Sequence, residues 1–123
     1  MKVKKAEKEA FDVVEQMPQY PGGPAALMQF LSQNVKYPVE AHKAGVQGRV
    51  IANFVVEKDG SITEAKIVKS VSPELDAEAL RVIGSMPNWI PGMQNGEPVR
   101  VKYTVPITFK LQGGNDVKVK EEK

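Results

Sequence analysis

The sequence contains no cysteine and only one histidine. The missing thiols exclude disulfides, thiolate nucleophiles and thiolate zinc sites, though they do not fix a redox compartment. His42 has no histidine or cysteine companion at ligand spacing, and no signature of a nucleophile or an orienting acid accompanies it. A surface or capping role is expected for it. The chain therefore does not read as an enzyme, and no metal site and no cofactor are expected. No apolar run approaches the ~18 residues of a membrane span. The basic start Met1-Lys2-Val3-Lys4-Lys5 has no apolar stretch behind it, so a secretion signal is not expected within the chain. Charge of one sign is also scarce. The net charge is +2, and residues 1–16 and 113–123 are each balanced, which argues against nucleic acid as a partner. Gly22-Gly23 lies before a helical pattern, but Pro24 removes an N–H and no Lys-Ser/Thr pair follows, so there is no phosphate loop.

With 41% apolar and 26% charged residues in 123, the chain suits one domain with one modest core. Residues 1–18 read as a flexible or extended segment; Phe11, Val13, Val14 and Met17 suit neither period, and leave a short strand or an extended docking segment open. Tyr20-Pro21-Gly22-Gly23-Pro24 stops any regular element. Pro24 suits the first position of a helix, because its absent N–H has no partner there anyway. Leu27, Met28, Phe30, Leu31 and Val35 carry that helix to about residue 34. Tyr37-Pro38 breaks it. Residues 39–44 allow one or two turns, closed by Gly45 in the left-handed region.

Residues 47–70 read as a hairpin around Asp59-Gly60. Val50, Ala52, Phe54 and Val56 share one face. A two-residue turn places Ala65 and Ile67 on the Phe54 face; a three-residue loop with a bulge places Ile62 and Val68 there. The first is preferred at the far end. Ser72-Pro73 starts a second helix, whose stripe is Leu75, Ala79, Val82, Ile83 and Met86. Pro87 ends it. Trp89 is expected to plug the core between helix and sheet, with a binding hot spot as the other reading. Residues 91–98 read as a Pro/Gly-rich loop, and residues 113–123 as a disordered tail.

Residues 99–111 alternate without a break. Val99, Val101, Tyr103, Val105, Ile107, Phe109 and Leu111 face one side; Arg100, Lys102, Thr104, Pro106, Thr108 and Lys110 face the other. Thirteen residues at about 3.4 Å each span roughly 40 Å, long for a strand. Pro106 lacks a ladder donor and marks a sheet edge. Two readings follow. The edge binds an extended peptide by strand addition, or it is an ordinary edge blunted by lysines and a proline. The expected fold is α+β: two layers, with a small antiparallel three-stranded sheet and two main helices on one face, in the order helix-strand-strand-helix-strand. The long strand is expected beside residues 49–57 at one edge, with residues 62–70 at the other.

Several pieces recur in a fixed order: Tyr37-Pro38-x-x-Ala41, Gly48-x-Val50, Phe54-x-Val56, Asp59-Gly60, Leu75-Asp76-x-x-Ala79, Trp89-x-Pro91-Gly92, and a final alternating strand with Phe109. This order and spacing resemble the C-terminal domain of the TonB family, over residues 19–112. The resemblance implies a periplasmic domain of an inner-membrane-anchored protein, whose N-terminal membrane helix, absent here, engages ExbB and ExbD. It implies that the domain grips TonB-dependent outer-membrane receptors by adding their TonB box to the last strand. Carried over, the partner-binding residues are Arg100, Lys102, Tyr103, Thr104, Pro106, Thr108 and Lys110 on that strand. Asn34, Lys36, Tyr37 and Pro38 belong to the Tyr-Pro motif, which meets the transporter plug. The better-known form of that motif carries glutamine at the places of Asn34 and Lys36. A second class of function fits the same residues: an accessory domain of a cell-envelope or membrane sensor protein that self-associates, as a homodimer for example.

Overall fold

The computed structural model describes residues 10–112 and 116–119. Among the described residues there are three helices: α1 (Pro24–Asn34), α2 (Val39–Ala44) and α3 (Pro73–Gly84). Each starts and stops for a local reason. Pro24 occupies the first turn of α1. Gly45 closes α2 at φ 74°, and its N–H donates to the Ala41 and His42 carbonyls. Ser72 Oγ accepts from the Leu75 N–H at 3.2 Å to open α3. Leu75, Ala79, Val82 and Ile83 are fully buried, as the stripe in the sequence requires.

The strands are β1 (Gly48–Val56), β2 (Ile62–Lys69), β3 (Gly92–Gln94), β4 (Glu97–Val99), β5 (Val101–Gln112) and β6 (Asp116–Val119). The antiparallel sheet β2-β1-β5 holds the expected three strands, with β5 beside β1 in unbroken register from Gly48↔Phe109 to Val56↔Val101. The α+β class is as expected. Val50, Ala52, Phe54, Val56, Val105, Ile107 and Phe109 bury their side chains in one core with Leu31, Leu75 and Ile83.

Four features differ from the sequence reading. First, β5 is not an edge along its whole length, because β6 pairs with it from Phe109↔Val119 to Gln112↔Asp116. The segment expected to be a disordered tail thus supplies a fourth strand; residues 113–115 and 120–123 lie outside the described residues, as do 1–9 of the N-terminal segment. Second, the long alternation is shared by two strands. Val99 pairs with Gly92 in a separate β3–β4 hairpin, and β5 starts at Val101. Third, the stretch read as a loop is that hairpin. Asn95 and Gly96 sit at φ 53° and 78° between Gln94 and Glu97, so both central residues have the positive φ of a type I′ turn. Fourth, both hairpin registers occur, one at each end. Val56↔Ile62 holds next to the turn and Ala52↔Ile67 further on, with one register shift between them, between Asn53 and Val55, a second beyond, between Ile51 and Ala52, and Glu64 at φ 53°. Val68 is exposed, and so is Ala65.

The turn at Asp59-Gly60 is wedged against the exit of α3. Gly60 accepts from the Trp89 N–H at 2.7 Å, and a Cβ at Gly60 would lie 2.0 Å from the Trp89 carbonyl oxygen. With φ at +90°, only glycine fits.

Candidate functional site

The outer edge of β5 is defined by which backbone groups turn away from β1. Lys102 N–H donates to the Phe11 carbonyl at 2.8 Å, and the Arg100 carbonyl accepts from Phe11 N–H at 3.0 Å, so these groups face outward. Leu111 N–H instead donates to Gln47 Oε1 at 2.9 Å, on the β1 side. Antiparallel pairing alternates inward and outward groups, so the even-numbered residues present theirs outward. Thr104 then offers an N–H and a carbonyl, Pro106 a carbonyl alone, and Thr108 an N–H and a carbonyl. Pro106 is tolerated because the donor it lacks would have faced away from β1. Among the described residues, nothing pairs with this edge from Tyr103 to Thr108. It is bounded by the parallel Phe11↔Val101 bridge at one end and β6 at the other.

The side chains divide between two faces. Lys102, Thr104, Pro106 and Lys110 are exposed on the face away from the helices, with Thr108 half-buried. Tyr103 turns toward the helices. Its ring lies 4.9 Å from that of Trp89, and Phe54 stands 5.3 Å from Trp89 on another side. Trp89 is 3% exposed and meets Tyr20 edge-on at 5.7 Å. It is a core residue, as the first of its two readings has it, and it supports β5 from beneath.

Arg100 does not face outward as a free cation. Its side chain is 14% exposed, and it bonds Glu57 Oε1 and Glu64 Oε2, each at 2.7 Å. The hydrogen bonds to Glu57 and then Glu64 hold the guanidinium above its ordinary pKa, and the same bond holds Glu57 below the usual carboxylate value. Arg100, expected among the partner-binding residues, is engaged in an internal clamp between β1, β2 and the start of β5. Lys102 and Lys110 are the outward cations of the strand.

The Tyr-Pro motif is also redistributed. Tyr37 is 8% exposed; its hydroxyl donates to the Val46 carbonyl, and its ring lies 5.5 Å from Phe109 and 5.7 Å from His42. Val35 and Tyr37, two apart in an extended link, both turn into the core. Lys36 between them is exposed, and its N–H donates to Glu78 Oε2 at 2.7 Å. Asn34 Nδ2 donates to the Phe30 carbonyl, while the Asn34 carbonyl accepts from Arg81 at 2.8 Å. The motif and the β5 edge thus stay separate surfaces, joined through Tyr37 and Phe109. His42 is half-buried on α2. Among the described residues, no three His, Asp or Glu side chains gather as a metal site.

Three contributors were not assigned to the site from the sequence: Phe11 on the outer edge, β6 beside it, and Glu57 with Glu64 holding Arg100. Of these, Phe11 had a sequence signal, being the first of a group of apolar residues in an otherwise charged segment. The Glu57 pairing had none, since it depends on strand register across 43 residues.

Residues 33–111, more than half of the chain, match the family described as Gram-negative bacterial TonB protein C-terminal. Protein TonB of Helicobacter pylori (strain J99) is 34% identical over 83 residues, covering 67% of this chain and 28% of that protein. Protein TonB of Vibrio cholerae is 32% identical over 79 residues, covering 63% of this chain and 32% of that protein. The chain thus spans about a third or less of the length of these relatives. Among solved structures, the NMR structure of the Helicobacter pylori TonB C-terminal domain superposes with a TM-score of 0.55 at 27% identity, covering 73% of this chain and 82% of that one. The motifs, the β2-β1-β5 sheet with its helices, and these matches agree, and the chain belongs to the Gram-negative TonB C-terminal family.

Proposed function

We propose that this is the periplasmic domain of a TonB-like energy transducer, and that it captures the TonB box of outer-membrane receptors by strand addition to β5. The observation that carries the reading is the outer edge of β5 from Tyr103 to Thr108, regular and unpaired among the described residues in a domain of this family. An added strand exchanges hydrogen bonds with Thr104, each worth about 0.5–1.5 kcal/mol net. Pro106 accepts but does not donate, so pairing is fuller around Thr104 than across Pro106. A longer peptide meets β6 and must displace it from Phe109 onward. Lys102 and Lys110 flank the window and favour acidic residues, mainly through the association rate.

The accessible part of the Tyr-Pro motif, exposed Lys36 and half-buried Pro38, forms a second contact with the receptor body. Asn34 and Tyr37 position it from within. Energy reaches the domain through an N-terminal membrane helix that engages ExbB and ExbD, and residues 10–20 lead from that side onto the sheet. Among the described residues, no helix is long and apolar enough to cross a membrane. In this reading chain and partner are joined by backbone pairing.

Amide shift mapping with a receptor TonB-box peptide tests the reading. The Thr104 and Thr108 amides are expected to move most. Shifts confined to the β2 edge, or to the helices, overturn it.

A further inference from the structure

A cavity of about 290 Å³ opens between α1 and β5, against the same stretch of strand, residues 103–106, that has no partner. Leu27 and Met28 of α1 form one wall, Tyr20 and Trp89 the floor, and Val105 with Pro106 the strand side. Met28, 36% exposed, sits at the rim. None of the lining residues carries a charge.

Three properties define what fits. The volume falls just under the ~300–1,000 Å³ of small-molecule clefts, so a side chain suits it better than a whole ligand. An uncharged, mostly apolar lining offers no ionic partner, so a charged group entering it loses hydration without return. Position supplies the third. Val105 faces the helices, and residues directly opposite each other on paired strands share a face. A strand added at Thr104–Pro106 therefore aims the residue paired with Val105 toward α1, where the cavity lies.

We propose that the cavity receives one apolar side chain of the captured peptide, at the position paired with Val105, and that it sets peptide preference at that position. The proposal rests on the strand-addition reading. It adds a side-chain requirement to an interaction that main-chain pairing alone leaves largely indifferent to sequence.

The test uses the full 123-residue chain and three blocked nine-residue peptides, with glutamate and threonine alternating around a central Leu, Ala or Asp. Affinities are taken from amide shift titrations. The Leu peptide is expected to bind at least roughly tenfold tighter than the Ala peptide, from the extra apolar surface buried, and the Asp peptide weaker still. Met28→Asp changes the rim rather than the core and is expected to compress the Leu/Ala ratio toward one; a thermal melt checks that the variant is folded. Equal affinities for Leu and Ala, with Thr104 and Thr108 amides moving in both, overturn the cavity proposal and leave strand addition standing. Movement of the Met28 methyl without the Thr104 amide shows a cavity filled independently of the edge, and overturns the proposal too. If no peptide moves these amides, strand addition itself fails and the cavity proposal with it.

Discussion

The β2 side and the β5 side of the sheet expose backbone in different conditions. β2 meets β1 with two breaks in register, and Glu64 sits at φ 53°, a left-handed backbone that is uncommon outside glycine. Lys66 and Lys69 are exposed along it. A strand laid beside such an edge loses step within a few residues, which is how sheets protect themselves from unwanted pairing. β5 instead holds register with β1 over nine residue pairs without a bulge. Its protection comes from Phe11 at one end and β6 at the other, with Pro106 within the strand between them. The lesson is that an irregular edge is closed by its own backbone, whereas a regular edge guarded by separate segments stays available over the interval they leave.

The largest test of this contrast is Trp89→Ala. Trp89 lies under Tyr103 and Phe54, and its loss should cost about 3–5 kcal/mol by chemical denaturation. If stability holds while peptide affinity collapses, Trp89 belongs to the binding surface and not to the support of β5. Next is Thr104→Pro, which removes an outward N–H. It should weaken peptide binding roughly tenfold while the melting transition survives. Val105→Pro removes an inward N–H and should unfold the sheet. Equal behaviour of the two variants would show that the assignment of inward and outward groups is wrong.

Acid should act through the Arg100 clamp at the sheet and through Glu78 on α3. Glu57 is held below its ordinary value near 4.5, first by the Arg100 hydrogen bond, with burial opposing and the Thr63 hydroxyl assisting. Burial is the largest influence on Glu78 and pushes it up, but the bonds from Arg81 and the Lys36 N–H outweigh it, so it too is lowered. A carboxylate with a depressed folded pKa stabilises fully above its unfolded value and ceases to do so as the pH falls through the folded one. Stability should therefore be flat above about pH 5 and decline on the acid side of about 4.5. Arg100→Met should flatten part of that decline in a pH series of melting curves; an unchanged slope would count against the clamp. The smallest effect is expected from Lys102→Gln and Lys110→Gln, which should slow peptide association about two- to threefold at low salt and hardly at all at high salt. Lys66→Gln and Lys69→Gln on β2 should leave that rate unchanged.

The helices and the central strands were legible because their signals are local. Ser72-Pro73, Pro24 and Gly45 mark helix ends through backbone conformation alone, and the alternation of Val50 to Val56 needs no distant partner. The β3–β4 hairpin had its strongest sign in plain view at Asn95-Gly96, but Pro91 and Pro98 around it suggest a loop. Pro98 fits because three-residue strands in a separate two-stranded sheet leave edges on both sides. Two features at the site depend on side chains that meet only after folding. Arg100 finds Glu57 and Glu64 across two strand registers, one of them interrupted. Tyr37 reads as a surface anchor until the Val46 carbonyl, nine residues on, satisfies its hydroxyl inside the core. The cavity had no sequence sign at all, being the space left where α1, residues 18–20 and β5 fail to close.

Residues 10–20 are fastened by three reciprocal pairs of backbone bonds, Phe11 with Arg100 and Lys102, Gln16 with Met93, and Gln19 with Ile90. A ladder shares an applied load among its rungs; isolated pairs meet it one after another. Tension drawn on the chain from the N-terminal side should therefore peel this segment stepwise, starting at Phe11, and pay out roughly 3.3 Å of chain per residue freed. The first step uncovers more of the β5 edge at Val101 and Lys102. The last, at Gln19, loosens the strip that borders the cavity. The segment is in that sense a short extensible tether, and its length on the sheet reports the force upon it.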